Sequence, residues 1–168
     1  MSAYSDQALT DIAIRVGRRV GGANRSLATA ESCTGGFISK TITDISGSSR
    51  WFTEGFVSYS NQAKQESLGV PNSTLREHGA VSEATARAMA AGALRRARVD
   101  VAVAVTGIAG PGGGVPGKPV GTVWLAWAQR HGRRVTVTAE LRHFRGDRDA
   151  VRRKTVRAAL LGLARLRF

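Results

Sequence analysis

Residues Val99–Val105 read Val-Asp-Val-Ala-Val-Ala-Val and run directly into Thr106-Gly107-Ile108-Ala109-Gly110-Pro111-Gly112-Gly113-Gly114, a loop with five glycines in nine residues. A strand so nearly continuous in Val and Ala is expected to be covered on both faces, as a strand inside an α/β layer is. The flanking segments supply that cover. Leu9, Ile12, Val16 and Val20 recur at spacings of three and four, so Asp6–Val20 is predicted as an amphipathic helix that Gly21-Gly22 ends. A second short apolar strand is predicted over Ser26–Ala30, with Glu31-Ser32-Cys33-Thr34-Gly35-Gly36 leading into a helix that reaches Asp44. Further strands are predicted at Trp51–Tyr59, Val120–Ala128 and Arg134–Leu141, the last two joined as a hairpin through Gln129–Arg133.

Helices are predicted at Asn61–Leu68, closed by Gly69-Val70-Pro71, and from Ser82-Glu83 to Arg98. A terminal helix begins at Asp147, with Val151, Thr155, Ala158, Gly162 and Leu166 on one face. Alternating helices and strands predict an α/β protein, a three-layer α/β/α sandwich on a mixed, mostly parallel sheet. The 168 residues fit one domain, 1–168. No apolar run is long enough for a membrane-spanning helix, and Met1–Asp11 lacks the basic start and apolar core of a secretory signal. A cytoplasmic protein is therefore expected. The lone Cys33 excludes an internal disulfide framework, and His78, His131 and His143 are not spaced as metal ligands.

The net charge is +13, and 21 of the 25 basic residues are arginine; the last 40 residues alone carry +9. Such asymmetry fits a nucleic-acid surface, a pocket for anions, or a solvated helix face in an arginine-rich chain. No aromatic residues are interleaved with these arginines as a stacking platform needs. Chemistry is better sought at the two glycine-rich loops, because ligands bind at the carboxyl ends of strands in open α/β sheets. Neither loop has Walker or dinucleotide-binding spacing. Ser32 sits where a strand turns into a helix, a place where backbone amides can stabilise an oxyanion. A serine nucleophile needs a base, and a lysine serves when its pKa is lowered. Only Lys40, Lys64, Lys118 and Lys154 are available.

Ala30-Glu31-Ser32-Cys33-Thr34-Gly35-Gly36 resembles the signature of the CinA C-terminal domain family. The resemblance continues through Asp44–Ser49, Gly55–Asn61, His78–Glu83, Thr106–Gly113, Lys118–Val123 and Gly146-Asp147-Arg148, in order. It implies the stand-alone form of that domain, which hydrolyses the carboxamide of nicotinamide mononucleotide to nicotinate mononucleotide and ammonia, with neither metal nor organic cofactor. It also implies a homodimer. Carried over by position, Ser32 is the nucleophile, Lys64 its base, Tyr59 a hydrogen-bonding partner within that dyad, and Thr106 a lining residue near the reacting centre.

The resemblance further implies that Thr34, Gly35 and Gly36 supply backbone donors, that Gly107 meets the substrate, and that Arg148 holds its phosphate. Ser48 is a ligand contact or a turn former, and Glu31 orders the turn or acts as an acid. Arg148 has a competing reading as a surface partner of Asp147 or Glu140, and Tyr59 as a core ring at a strand end. Arg145, where an uncharged or acidic residue is usual in the family, is a second phosphate contact or an exposed arginine. Two rival readings are a nucleic-acid-binding protein without hydrolase activity and a nucleotide-binding member that has lost catalysis.

Overall fold

The computed structural model describes residues 2–168. In chain order it contains α1 (Asp6–Gly22), β1 (Leu27–Glu31), α2 (Phe37–Thr43), a 3₁₀ turn at Ser48–Arg50, β2 (Phe52–Val57), α3 (Asn61–Leu68), α4 (Asn72–His78), α5 (Glu83–Arg96), β3 (Val101–Gly107), β4 (Thr122–His131), β5 (Arg134–His143) and α6 (Arg148–Arg165). The strands form one sheet in the order β2-β1-β3-β4-β5. β1 pairs in parallel with both β2 and β3, while β4 is antiparallel to β3 and to β5. Four strands thus point the same way and β4 alone is reversed, as expected of a mixed, mostly parallel sheet.

Alternation along β3 sorts the two layers. Val101, Val103 and Val105 pack with Leu9, Val16, Ile38 and Leu160 from α1, α2 and α6. Ala102 and Ala104 face the other way, with Ala30, Ala126 and Ala128 from β1 and β4, against Ala86, Ala90 and Ala93 of α5. Small residues on both sides let α5 lie close to the sheet centre. Side-chain caps fix where the helices start: Ser5, Ser60, Ser82 and Asp147 accept from the amides of Ala8, Ala63, Thr85 and Ala150.

The strand predicted over Trp51–Tyr59 is present as the shorter edge strand β2, with Thr53, Glu54, Gly55 and Val57 exposed. The face predicted for the terminal helix is corrected. The buried face of α6 is Val151, Thr155, Val156, Ala159, Leu160 and Leu163; Ala158 and Gly162 are half-buried, and Leu166 lies past the helix end. Gly162 leaves room for the Trp127 ring, whose indole N–H donates to the Ala159 carbonyl at 3.1 Å. Helix α4 was not foreseen: it is short and polar, and begins directly after Pro71.

Candidate active site

β1 and β3 lie side by side, with Glu31 paired to Val105, so the chain leaving each strand opens into the same space. The Ser32 amide donates to the Val105 carbonyl at 3.1 Å, extending the ladder by one residue before the chain turns. Glu31 holds the turn. Its carboxylate is fully buried and accepts from the hydroxyls of Thr34 (2.6 Å) and Ser39 (2.8 Å) and from the amides of Gly36 (3.1 Å), Ile38 (2.9 Å) and Ser39 (2.8 Å). Every lone-pair direction is occupied by a donor from the start of α2, which is the turn-ordering reading of Glu31. Gly36 sits at φ 94°, a left-handed conformation that favours glycine, and this bends the chain into α2.

Helix α3 delivers Lys64. Lys64 is 1% exposed, and its Nζ lies 3.1 Å from Ser32 Oγ. The same amine donates to the carbonyls of Ser58 (2.9 Å) and Tyr59 (3.4 Å). As the ammonium, Lys64 donates to all three oxygens; as the neutral amine its two hydrogens suffice for the two carbonyls and its lone pair can face the serine hydroxyl. Burial pushes the Lys64 pKa below the ordinary lysine value, and the neighbouring Cys33 opposes this slightly. No neighbouring cation adds to the effect of burial. The cover over Lys64 includes the main chain at Ser58 and Tyr59, beyond the end of β2. Cys33 is itself buried and its thiol is pushed up to about 12, so it stays protonated beside Ser32.

Ser32, Lys64, Tyr59, Thr106, Gly107 and Arg148 line one pocket of about 190 Å³, together with Cys33, Ala80, Val81 and Ala109. Hollows elsewhere reach about 390 Å³, but the one lined by Ala3, Asp11 and Arg15 offers no nucleophile and base in contact. Thr106 is buried, and its hydroxyl donates to the Ala80 carbonyl at 2.7 Å, so it holds the pocket wall. Arg148 reaches the rim from the first turn of α6 and donates to the Gly110 carbonyl (2.8 Å) and the Tyr59 hydroxyl (3.1 Å). It pairs with neither Asp147 nor Glu140 among the described residues.

Several assignments change place. Tyr59 is 62% exposed, neither a core ring nor a side-chain member of the dyad: its main-chain carbonyl meets Lys64 and its hydroxyl meets Arg148. The Gly35 amide donates to the Ser32 carbonyl and the Gly36 amide to Glu31, while the Thr34 hydroxyl is bound to Glu31; none of the three lines the pocket. Ser48 is a turn former, buried in the 3₁₀ turn away from the pocket, with its amide on Ile45 and its carbonyl on Trp51. Arg145 is exposed and does not line the pocket. Arg152 is half-buried and donates to the Thr34 carbonyl at 2.8 Å.

The Ala80-Val81 wall and the Ser58 carbonyl had no assigned role; the only available signal was their place inside the His78–Glu83 and Gly55–Asn61 motifs. Among the described residues no group of three or more His, Cys, Asp or Glu is placed to hold a metal ion, and no helix is long and apolar enough to cross a membrane.

Residues 9–166 match the CinA C-terminal domain. The chain is 51% identical over 156 residues to "Nicotinamide-nucleotide amidohydrolase PncC" of Escherichia coli (strain K12), covering 93% of each chain. It is 51% identical over 158 residues to the protein of the same name from Pseudomonas putida, covering 94% and 96%. Among solved structures it is similar to the competence/damage inducible protein CihA from Agrobacterium tumefaciens, at 46% identity and TM-score 0.86 over 95% and 94% of the two chains.

Proposed function

Because the chain belongs to the CinA C-terminal domain family, we propose that it is one such domain over residues 1–168 and hydrolyses nicotinamide mononucleotide to nicotinate mononucleotide and ammonia. That is a step of pyridine nucleotide salvage, and the names of its relatives support it. The observation that carries the reading is the fully buried amine of Lys64 at 3.1 Å from Ser32 Oγ, inside a pocket rimmed by an arginine.

Lys64, as the neutral amine, removes the Ser32 proton while Oγ attacks the carboxamide carbon. The resulting ammonium returns that proton to the departing nitrogen, the C–N bond breaks, and ammonia leaves. Water then adds to the Ser32 ester, giving a proton to Lys64; Oγ departs and takes that proton back from Lys64, which restores the serine and the neutral amine, and the acid so formed loses its remaining proton to solvent as the carboxylate. Arg148 takes the substrate phosphate. Its present partners, a carbonyl and a phenol, are neutral, and exchanging them for a dianion is favourable. Tyr59 and Thr106 shape the rim and the wall.

The charged nucleotide does not cross membranes unaided, so the enzyme works in the cytoplasm where the substrate is made. The two sheet edges, β2 and β5, leave Val57, Val135 and Leu141 exposed, which supports assembly as a homodimer. No specific nucleic-acid role is proposed, since a binding module gains nothing from a buried lysine on a serine. The test is ammonia release from nicotinamide mononucleotide, nicotinamide and NAD in parallel, with Ser32→Ala as the control. The mononucleotide should react best, and Ser32→Ala should lose several orders of magnitude in kcat while retaining the fold. Near-normal turnover by Ser32→Ala would move the nucleophile to water.

A further inference from the structure

A second concave site lies outside the Ser32 pocket, in a groove of about 230 Å³ between β5 and α6. Lys154, Arg157, Leu161 and Arg165 stand on one face of α6 at spacings of three and four, and Arg142 and Phe144 face them from β5 and the residue beyond its end. Four cations therefore share one hollow with an apolar floor. The only carboxylate there is Glu140, already bound to Arg142. Arg157 and Arg165 have no hydrogen-bond or ion-pair acceptor among the described residues. Arg157 instead lies 5.7 Å from the centroid of the Tyr4 ring, and Lys154 lies 5.6 Å from the same ring.

This is not how the chain treats its arginines where an acid is in reach. Arg153, on the same helix, is paired with both Asp6 (2.6 Å) and Asp149 (2.7 Å). Like charges gathered over apolar surface repel one another and focus a positive potential into the hollow, and a ligand of opposite charge relieves that repulsion. Guanidinium groups match phosphate oxygens in bidentate geometry, and Phe144 and Leu161 offer contact area to an apolar or planar body. From this we infer that the groove binds a small phosphorylated organic anion of nucleotide type, at a site separate from the one where the amide is hydrolysed. Its volume suits a mononucleotide-sized group and not a duplex.

The test is isothermal titration of ADP into the full chain. ADP should bind with an affinity that falls as ionic strength rises from about 0.05 to about 0.3 M. Arg157→Gln/Arg165→Gln should weaken binding by about tenfold or more. Arg157→Lys/Arg165→Lys, which keeps both charges, should lose less. Arg148→Ala should leave the ADP affinity of the groove unchanged, which separates this site from the catalytic pocket. The glutamine pair should unfold cooperatively as the wild type does, and should keep the wild-type kcat on nicotinamide mononucleotide because neither residue touches that pocket. Affinity lost with Arg148→Ala and kept by the glutamine pair would overturn the proposal, as would absence of binding at low salt. Capture of the chain by phosphatidylglycerol vesicles without any affinity for ADP would overturn it too, and would make the groove a membrane-surface contact.

Discussion

Glu31→Gln is the most informative single change outside the reacting atoms. The two side chains have nearly the same shape, so packing is preserved and only the hydrogen-bond chemistry changes. Glu31 accepts five bonds, three on Oε2 and two on Oε1. An amide can present its NH₂ to only one of those sides. The less damaging orientation points it at the Ser39 side, where the hydroxyl can turn toward Thr29 Oγ1 at 2.7 Å but the Ser39 amide cannot turn away. One buried N–H is then left facing another donor, which costs about 1–3 kcal/mol, and the three bonds on the other oxygen lose their charge assistance at roughly 0.5–1 kcal/mol each. The sum is about 2.5–6 kcal/mol, against a total stability of roughly 5–15 kcal/mol for a domain. For a chain of this size that is a Tm lower by about 5–24 °C. Thermal unfolding followed by circular dichroism reads it directly, and kcat measured well below the lowered Tm should fall as the Ser32 turn loosens. A Tm within about 2 °C of wild type would refute the reasoning, since each kcal/mol is worth at least that much.

The base role proposed for Lys64 has a pH signature. Activity should rise with pH through an apparent pKa below the ordinary lysine value, because burial favours the neutral amine. Between that lowered pKa and about 10.4 the unfolded chain binds the extra proton, so this group's contribution to stability also rises with pH across the window. Lys64→Arg should abolish kcat with substrate still binding, and a normal rate with an unchanged pH profile would eliminate the dyad. Arg148→Ala should chiefly raise KM for nicotinamide mononucleotide, by about 10–150-fold, while nicotinamide riboside, which has no phosphate, should hardly register the change; equal loss on both would make Arg148 structural. Duplex DNA should bind weakly, without sequence preference, and release at physiological salt, as a gel-shift titration in salt would show. A sequence-selective complex surviving that salt would restore the nucleic-acid reading.

The helices and strands were legible wherever the signal is local. Asn61–Leu68 is bounded by a capping serine and a C-terminal glycine, and its predicted limits match α3. The alternating Val-Ala run of β3 announced a strand covered on both faces. What sequence does not carry is which neighbour arrives. The apolar look of Trp51–Tyr59 could not reveal that β2 has a partner on one side only. The periodicity of α6 pointed to Ala158 and Gly162, yet the half-buried Gly162 is accounted for by the Trp127 ring, contributed by β4. The glycines after Ser32 looked like free donors because their amides' acceptors, the Glu31 carboxylate and the Ser32 carbonyl, can be identified only once the turn is closed. A solvated helix face was one way to read the basic C-terminal charge, yet Arg152 is held by the Thr34 carbonyl and Arg153 by two aspartates.

Glu31 and Lys64 are both among the fully buried side chains, the first preceding Ser32 in the chain and the second in contact with its Oγ, yet no hydrogen bond or ion pair joins them among the described residues. That separation is what the proposed mechanism requires. A carboxylate beside Lys64 would favour the ammonium form and raise its pKa, undoing the effect of burial. The fold avoids this by spending every acceptor direction of Glu31 on the start of α2 and by giving Lys64 only neutral carbonyls and the serine hydroxyl. An arginine in place of Lys64 would keep its proton in any such setting. In a chain whose basic residues are overwhelmingly arginine, the 64th position is therefore the one where arginine could not serve as the base proposed for Lys64.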